Sequence, residues 1–188
     1  MKKIFFFLLI PLISFSQIDN SDFSIVEGVY TSFDANKTKY DVYIIETKYC
    51  VVQIEKSQIS VDQINDQETI VKILNRTDSI YEFFKNYLGY EPDGGNLNYS
   101  NKVDVFFTKT PACGSGCGKL GFKGIEISGF NNIFFNLKHY LNVNRDVIIA
   151  YEFGRNFTND NLKNMSSIWA FKEAFASIMV INTYDNIL

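Results

Sequence analysis

The chain has 188 residues, of which 46% are hydrophobic and 16% aromatic, and it contains only three prolines. This composition excludes an intrinsically disordered chain and is sufficient for one domain with a buried core. The formal net charge is −3 and there is no run of basic residues, which argues against nucleic acid or an anionic membrane as the partner.

The first 16 residues have the three parts of a secretory signal peptide. Lys2 and Lys3 supply the positive charge, residues 4–13 are apolar, and residues 14–16 (Ser-Phe-Ser) offer a cleavage site between small residues. The apolar run is too short to span a membrane, and no later run is long enough. We expect a mature chain that begins at Gln17, has no membrane span and is secreted or periplasmic. Its 16 basic and 21 acidic residues would give a net charge of −5.

The N-terminal part of the mature chain, 17–60, has a β pattern. Residues 40–45 and 49–54 are rich in β-branched and aromatic side chains, so we predict two strands there. The polar stretch 34–37 indicates the turn before the first of them. We place this β part and the following helix-sheet-helix part, 61–188, in a single domain.

Residues 66–88 have the clearest helical pattern in the chain. Apolar and small side chains recur every three or four residues from Ile70 to Leu88, which predicts one buried stripe. Gly89 is suited to end the helix, and Pro92 prevents its continuation. Such a stripe packs against a sheet more often than it binds a partner.

The middle of the chain alternates short apolar runs with glycine. Residues 102–108 predict a central strand, 124–128 a short alternating strand, and 133–137 a strand or the start of a turn. Between them, 113–124 contains five glycines. We interpret this segment as a wide surface turn, because it lacks the Gly-Lys-Ser/Thr ending of a phosphate-binding loop.

The three cysteines are Cys50, Cys113 and Cys117. An exported protein meets an oxidising compartment, and Cys113 and Cys117 flank a flexible Gly-Ser-Gly tripeptide. A local Cys113–Cys117 disulfide is therefore favoured slightly. Three free thiols, or a bond from Cys50 to one of the other two, stay open as alternatives.

The C-terminal part predicts two helices. Asn144 is suited to cap a helix over 147–157, which the polar stretch 158–161 would end. A second helix begins near Ser166 or Ser167 and continues to about Val180.

These two helices carry the residues of a family resemblance. Residues 151–155 read Tyr-Glu-Phe-Gly-Arg, the layout of His-Glu-x-x-His with Glu152 in the glutamate position, and 173–176 read Glu-Ala-Phe-Ala. This pair resembles the zincin metallopeptidases, in the branch in which a glutamate from the second helix is the third zinc ligand. The resemblance implies an α+β, zincin-like fold: a twisted, mixed and mostly antiparallel sheet with a backing helix and a degenerate active-site helix.

The resemblance also assigns roles to individual residues. Glu152 would be an idle general base, and Tyr151, Arg155 and Glu173 would stand in vestigial ligand positions. The strand at 124–128 would be a sheet edge that holds an extended substrate by β-addition. Its substrate-binding candidates are Gly124, Ile125, Glu126 and Ile127.

The two substituted positions argue against zinc. A phenol is a poor neutral ligand, and a guanidinium has no lone pair to donate. The one histidine of the chain, His139, precedes the helix and reads as an ordinary surface residue. We therefore expect no metal and no cofactor. In place of zinc, we expect Arg155 to pair with Glu173 in a buried ion pair, with a solvent-facing Arg155 as the alternative.

The sequence thus predicts an exported, catalytically inactive metallopeptidase-like protein that binds an extended peptide or a cell-envelope glycan. Two alternatives stay open. One is an active secreted hydrolase with an atypical site, which would contain zinc. The other is a structural module of the cell envelope in which the degenerate motif serves packing alone.

Overall fold

The computed structural model describes residues 23–92, 102–118, 123–139, 147–161 and 176–181, without the side chains of 158–161. Within these ranges the chain has an α+β fold with an open, mixed sheet of six strands in the order β1-β2-β3-β4-β6-β5. The strands are β1 (Ile25–Thr31), β2 (Lys39–Glu46), β3 (Cys50–Glu55), β4 (Val103–Phe107), β5 (Gly116–Gly118) and β6 (Gly124–Ile127). The helices are α1 (Val61–Ile64), α2 (Gln67–Leu88), α3 (Phe130–Lys138) and α4 (Val147–Asn161).

The first three strands form an antiparallel meander. The predicted strands at 40–45 and 49–54 are confirmed as β2 and β3, and the turn at 34–37 precedes β2. Asp34 stabilises this turn, because its side chain accepts a hydrogen bond of 3.0 Å from the backbone N–H of Thr38.

Helix α2 confirms the predicted helix and its ends. The Asp66 side chain caps the first turn by accepting from the N–H of Thr69 at 3.2 Å. Gly89 ends the helix in a left-handed conformation, with φ of 75°, and donates to the carbonyl of Lys85 at 2.9 Å. The apolar stripe of α2 is buried against the sheet and the other helices, so it serves the core.

Parallel pairing joins β3 to β4 and β4 to β6. The prediction of a central strand at 102–108 is confirmed by β4. The edge position predicted for Gly124–Ile127 is wrong, because β6 pairs with β4 on one side and with β5 on the other. Gly124, Ile125, Glu126 and Ile127 are all buried and cannot take up a further strand. The surface turn predicted over 113–124 is wrong for Gly116–Gly118, which forms the buried outer strand β5.

The region after β6 also differs from the prediction. Residues 133–137 belong to helix α3, whose residues Phe130, Ile133 and Phe134 are buried at helical spacing. Helix α4 continues through the stretch 158–161, so the predicted break there is wrong. Asn144 and residues 166–175 lie outside the described residues, while 176–181 are helical as predicted.

The sheet is covered differently on its two sides. The helices bury the main core on one side. The other side carries a second apolar cluster of Tyr30, Phe33, Val42, Ile44, Val51, Phe106 and Cys117. No helix in the described ranges is both long and apolar enough to cross a membrane.

Candidate functional site

Helix α4 is held in place by aromatic packing. Phe153 and Phe157 lie with ring centroids 5.5 and 5.4 Å from that of Tyr81 in α2. Phe157 also contacts Phe84, with a centroid distance of 5.4 Å. These fully buried rings fix the rotation of α4 about its axis, so its opposite face is presented to the outer strands of the sheet.

The two motifs of the resemblance contact each other at a glycine. A Cβ atom added to Gly154 would lie 3.1 Å from Cα of Ala176 and 3.5 Å from a ring carbon of Phe84. Ala176 is the last residue of the Glu-Ala-Phe-Ala stretch, and Gly154 is the fourth of Tyr-Glu-Phe-Gly-Arg. The absence of a side chain at Gly154 thus lets the helical segment 176–181 approach α4 closely.

The carboxyl group of Glu152 lies beside the outer strand β5. The side chain is buried, with the residue only 3% exposed, and its Oε2 accepts a hydrogen bond of 2.8 Å from the N–H of Gly118. The backbone N–H of Ser128 donates to the carbonyl of Ser115, so these two residues form a hydrogen-bonded pair at the end of the antiparallel β5–β6 ladder. Hydrogen-bonded and non-hydrogen-bonded pairs alternate along an antiparallel ladder, so the backbone of Cys117 bonds to β6 and the N–H of Gly118 points away from β6. Glu152 therefore takes the place of a further strand at this point of the edge.

Two glycines make this approach of strand and helix feasible. A Cβ atom at Gly116 would lie 2.8 Å from Cδ of Glu152, and one at Gly118 would lie 2.9 Å from the backbone nitrogen of Asn156. At Gly118 any other residue would force β5 away from α4, whereas at Gly116 the Glu152 side chain would have to give way. The glycines at 114, 116 and 118 alternate with period two, which is the signal by which the sequence could have indicated a strand against a backbone surface.

Arg155 contributes the positive charge of the site. Its Nη1 lies 3.4 Å from Oε2 of Glu152, and its side chain is 26% exposed. Tyr151, one turn earlier, is half-buried. The predicted pair of Arg155 with Glu173 is untested, because Glu173 lies outside the described residues. Within the described residues, Arg155 contacts Glu152, the residue three positions earlier on the same helix.

Burial governs the charge of Glu152. Removal from water raises the pKa of its carboxyl above the ordinary value of 4.5, and the positive charge of Arg155 and the Gly118 N–H oppose this rise. A carboxyl with a raised pKa binds its proton more tightly in the folded than in the unfolded state. Its contribution to stability is therefore fully present below pH 4.5 and is lost as the pH rises through the folded-state pKa.

Because the stability contribution of Glu152 decreases as the pH rises, the variant Glu152→Gln should show a pH-dependent difference from the wild type. Its amide keeps an oxygen for the Gly118 N–H but does not titrate. The free energy of unfolding of the variant, minus that of the wild type, should increase from pH 4 toward neutrality in urea titrations, by about 1.4 kcal/mol for each unit of raised pKa. Because both proteins share every other titrating group, the difference isolates Glu152. A difference that decreases with rising pH would mean a lowered pKa and would contradict this account.

A second buried carboxylate, Glu126, was not predicted as such. The residue is 0% exposed on the side of the sheet away from the helices. It accepts hydrogen bonds from the Tyr30 hydroxyl at 3.1 Å, the Phe33 N–H at 2.7 Å and the Ala112 N–H at 2.8 Å. Burial, followed by the charges of Glu126 and Asp104, raises the pKa of Tyr30. Glu126 therefore acts as a hub, by which we mean that its hydrogen bonds connect β6 to the segment 30–33 and to the loop at Ala112.

The segment before β5 is closed by a disulfide between Cys113 and Cys117. This is the local pairing that the sequence analysis favoured. Cys50 is free and buried. Cys113 is exposed, whereas Cys117 is fully buried in the second apolar cluster. The bond therefore ties the centre of β5 to the surface loop that precedes it.

Among the described residues, the side chains around Glu152 differ from the donor set of a catalytic zinc site. His139 caps the end of α3 at the surface, with its ring 4.4 Å from that of Phe135, and it belongs to a different helix from Glu152. Within the described residues no three His, Cys, Asp or Glu side chains form a group suited to a metal. At the motif itself the ligand positions hold a phenol and a guanidinium, and the latter contacts the carboxylate directly.

Comparison with known proteins adds no family assignment. No protein-family model matches this chain, and no curated protein sequence matches it significantly. The geometry around Glu152 is therefore what indicates a function.

Proposed function

We propose that this protein is an exported, catalytically inactive relative of the zincin metallopeptidases that binds an extended peptide or a cell-envelope glycan without cleaving it. The observation that carries the proposal is the state of Glu152. In the resemblance this residue is the general base, which must reach a water molecule. Here its carboxyl is buried, accepts from Gly118 and contacts Arg155, so it serves as a structural acceptor.

Three features of the fold support the relationship to zincins. Helix α4, with the degenerate motif, packs beneath the outer strand of a mixed sheet, and α2 packs behind it. The Gly154–Ala176 contact brings the two sequence motifs together. The outer strand beside the motif is β5 (Gly116–Gly118), which lies where the resemblance leads us to expect an outer strand.

The fold relationship predicts that zinc binding can be restored. The double variant Tyr151→His/Arg155→His returns two imidazoles four residues apart on one helix face and removes the guanidinium. We expect the mature variant to retain about one zinc ion per chain through dialysis, with micromolar or tighter affinity by calorimetry. The control Tyr151→His/Arg155→Gln has one imidazole and should retain none. If neither variant gains zinc over the wild type while both remain folded, the relationship to zincins is refuted.

The inactive, ligand-binding role has its own test. Purified wild-type chain from Gln17 onward should leave a mixed peptide library intact, with and without added zinc, and should bind immobilised peptide or peptidoglycan fragments. Peptide cleavage that a chelator abolishes would establish the active-hydrolase alternative. Binding to neither ligand would favour the structural module.

A further inference from the structure

The outer strand β5 is short. It is three residues long, and within the described part of the chain it pairs with β6 in the sheet. Residues 113–118 include three glycines, whose backbone loses the most conformational freedom on ordering. The hydrogen bond from Gly118 to Glu152 and the burial of Cys117 hold the strand on its two faces.

The disulfide acts on this strand directly. Cys117 is the central residue of β5, and its bonding partner Cys113 lies four positions earlier in an exposed loop. The bond closes a small ring over the flexible Gly-Ser-Gly tripeptide, which removes most of the open conformations of the segment. The cross-link therefore favours the arrangement in which Gly116 and Gly118 contact Glu152.

We propose that the Cys113–Cys117 disulfide is a redox-sensitive latch that keeps β5 on α4 and the carboxyl of Glu152 out of water. The geometry that carries this is the exposed residue Cys113 at one end of the bond and, at the other, the strand that covers Glu152. The latch is independent of any relationship to zincins, because it needs only the contacts among β5, β6 and α4.

The opening reaction is thiol–disulfide exchange with a dithiol reductant. One thiolate of the reductant attacks the sulfur of Cys113, the more exposed of the two cysteines, the Cys113–Cys117 bond breaks, and Cys117 leaves as a thiolate and takes up a proton. The second thiolate of the reductant then attacks the reductant's other sulfur, which is bonded to Cys113 in the mixed disulfide. Cys113 is released and takes up a proton. The protein gains two thiols, and the reductant is oxidised to a disulfide. With the ring open, β5 can leave α4 and expose Glu152.

The test is native-state hydrogen exchange of the mature protein before and after treatment with dithiothreitol. Reduction should accelerate exchange at the Gly118 amide roughly 30-fold, the factor that the entropy of so small a ring implies. After reduction, the opening free energy from exchange should be lower at the Gly118 amide than at the amide of Leu74, buried in α2, because β5 opens while the core stays folded. A thiol count on the denatured, unreduced protein should give only the single thiol of Cys50.

A Cys113→Ser/Cys117→Ser variant should reproduce the fast exchange at Gly118 without reductant. If this variant fails to fold, reduction of the wild type still decides the question. The latch is overturned if the Gly118 rate is unchanged on reduction, if Gly118 and Leu74 have the same opening free energy in the reduced protein, or if the unreduced protein shows three thiols.

Discussion

Gly118→Ala should destabilise the protein by about 3 kcal/mol, the upper part of the range for overpacking a close contact. The added methyl group would meet the backbone carbonyl of Glu152 and lie 2.9 Å from the backbone nitrogen of Asn156 and 3.2 Å from Cβ of Arg155. The first two of these atoms belong to the backbone of α4, which cannot rotate away as a side chain could. The strand must move instead, which breaks the hydrogen bond from Gly118 to Glu152.

Gly114→Ala is the matched control, because the same methyl group is added four residues earlier. Gly114 has φ of 97°, and a Cβ atom there would have no neighbour within 4 Å. Backbone strain alone should cost about 1 kcal/mol. Guanidinium titrations followed by circular dichroism compare the two variants with the wild type. Equal losses for both would show that β5 does not pack on α4 as described.

Glu126→Gln should lower the free energy of unfolding by about 2–4 kcal/mol, although the two side chains have nearly the same volume. Three donors converge on the carboxylate, from the Tyr30 hydroxyl and from the N–H groups of Phe33 and Ala112. An amide replaces one of its oxygens by an NH2 group, which donates and cannot accept. At least one buried donor therefore loses its partner, and the charge that strengthened the other bonds is lost.

Two further variants separate this effect from a general loss of charge. Glu46→Gln removes a carboxylate whose side chain is 57% exposed in a pair with Lys102, so its stability should stay within about 0.5 kcal/mol of the wild type. Tyr30→Phe removes one of the three donors, leaves the carboxylate in place and should cost about 1 kcal/mol. A Glu126→Gln variant as stable as Glu46→Gln would contradict the role of Glu126 as a hub.

The stretches 133–137 and 113–124 fold differently from their predictions for the same reason: contacts with distant segments decide their structure. The run at 133–137 is short and apolar, and such a run fits a strand or a buried helix equally until its neighbours are known. The glycines of 113–124 predict a wide surface turn, because glycine disfavours strands in isolation. In the fold, Gly116 and Gly118 are required because α4 lies against them, and that helix is more than 30 positions later in the chain.

Local pattern by itself determined the long helix α2 with its end at Gly89 and the strands β2, β3 and β4, and it favoured the pair of cysteines that close the small disulfide ring. These features depend on periodicity and on interactions between near neighbours, which the order of residues states directly. Tertiary structure alone decided that β5 is outermost, that Glu152 bonds to Gly118, and that Glu126 is buried. Each of these depends on contacts between distant segments, such as Tyr30 and Glu126, which are 96 positions apart. The alternation of side chains between the two faces of a strand follows from the local sequence. Which segments then cover each face depends on the whole fold.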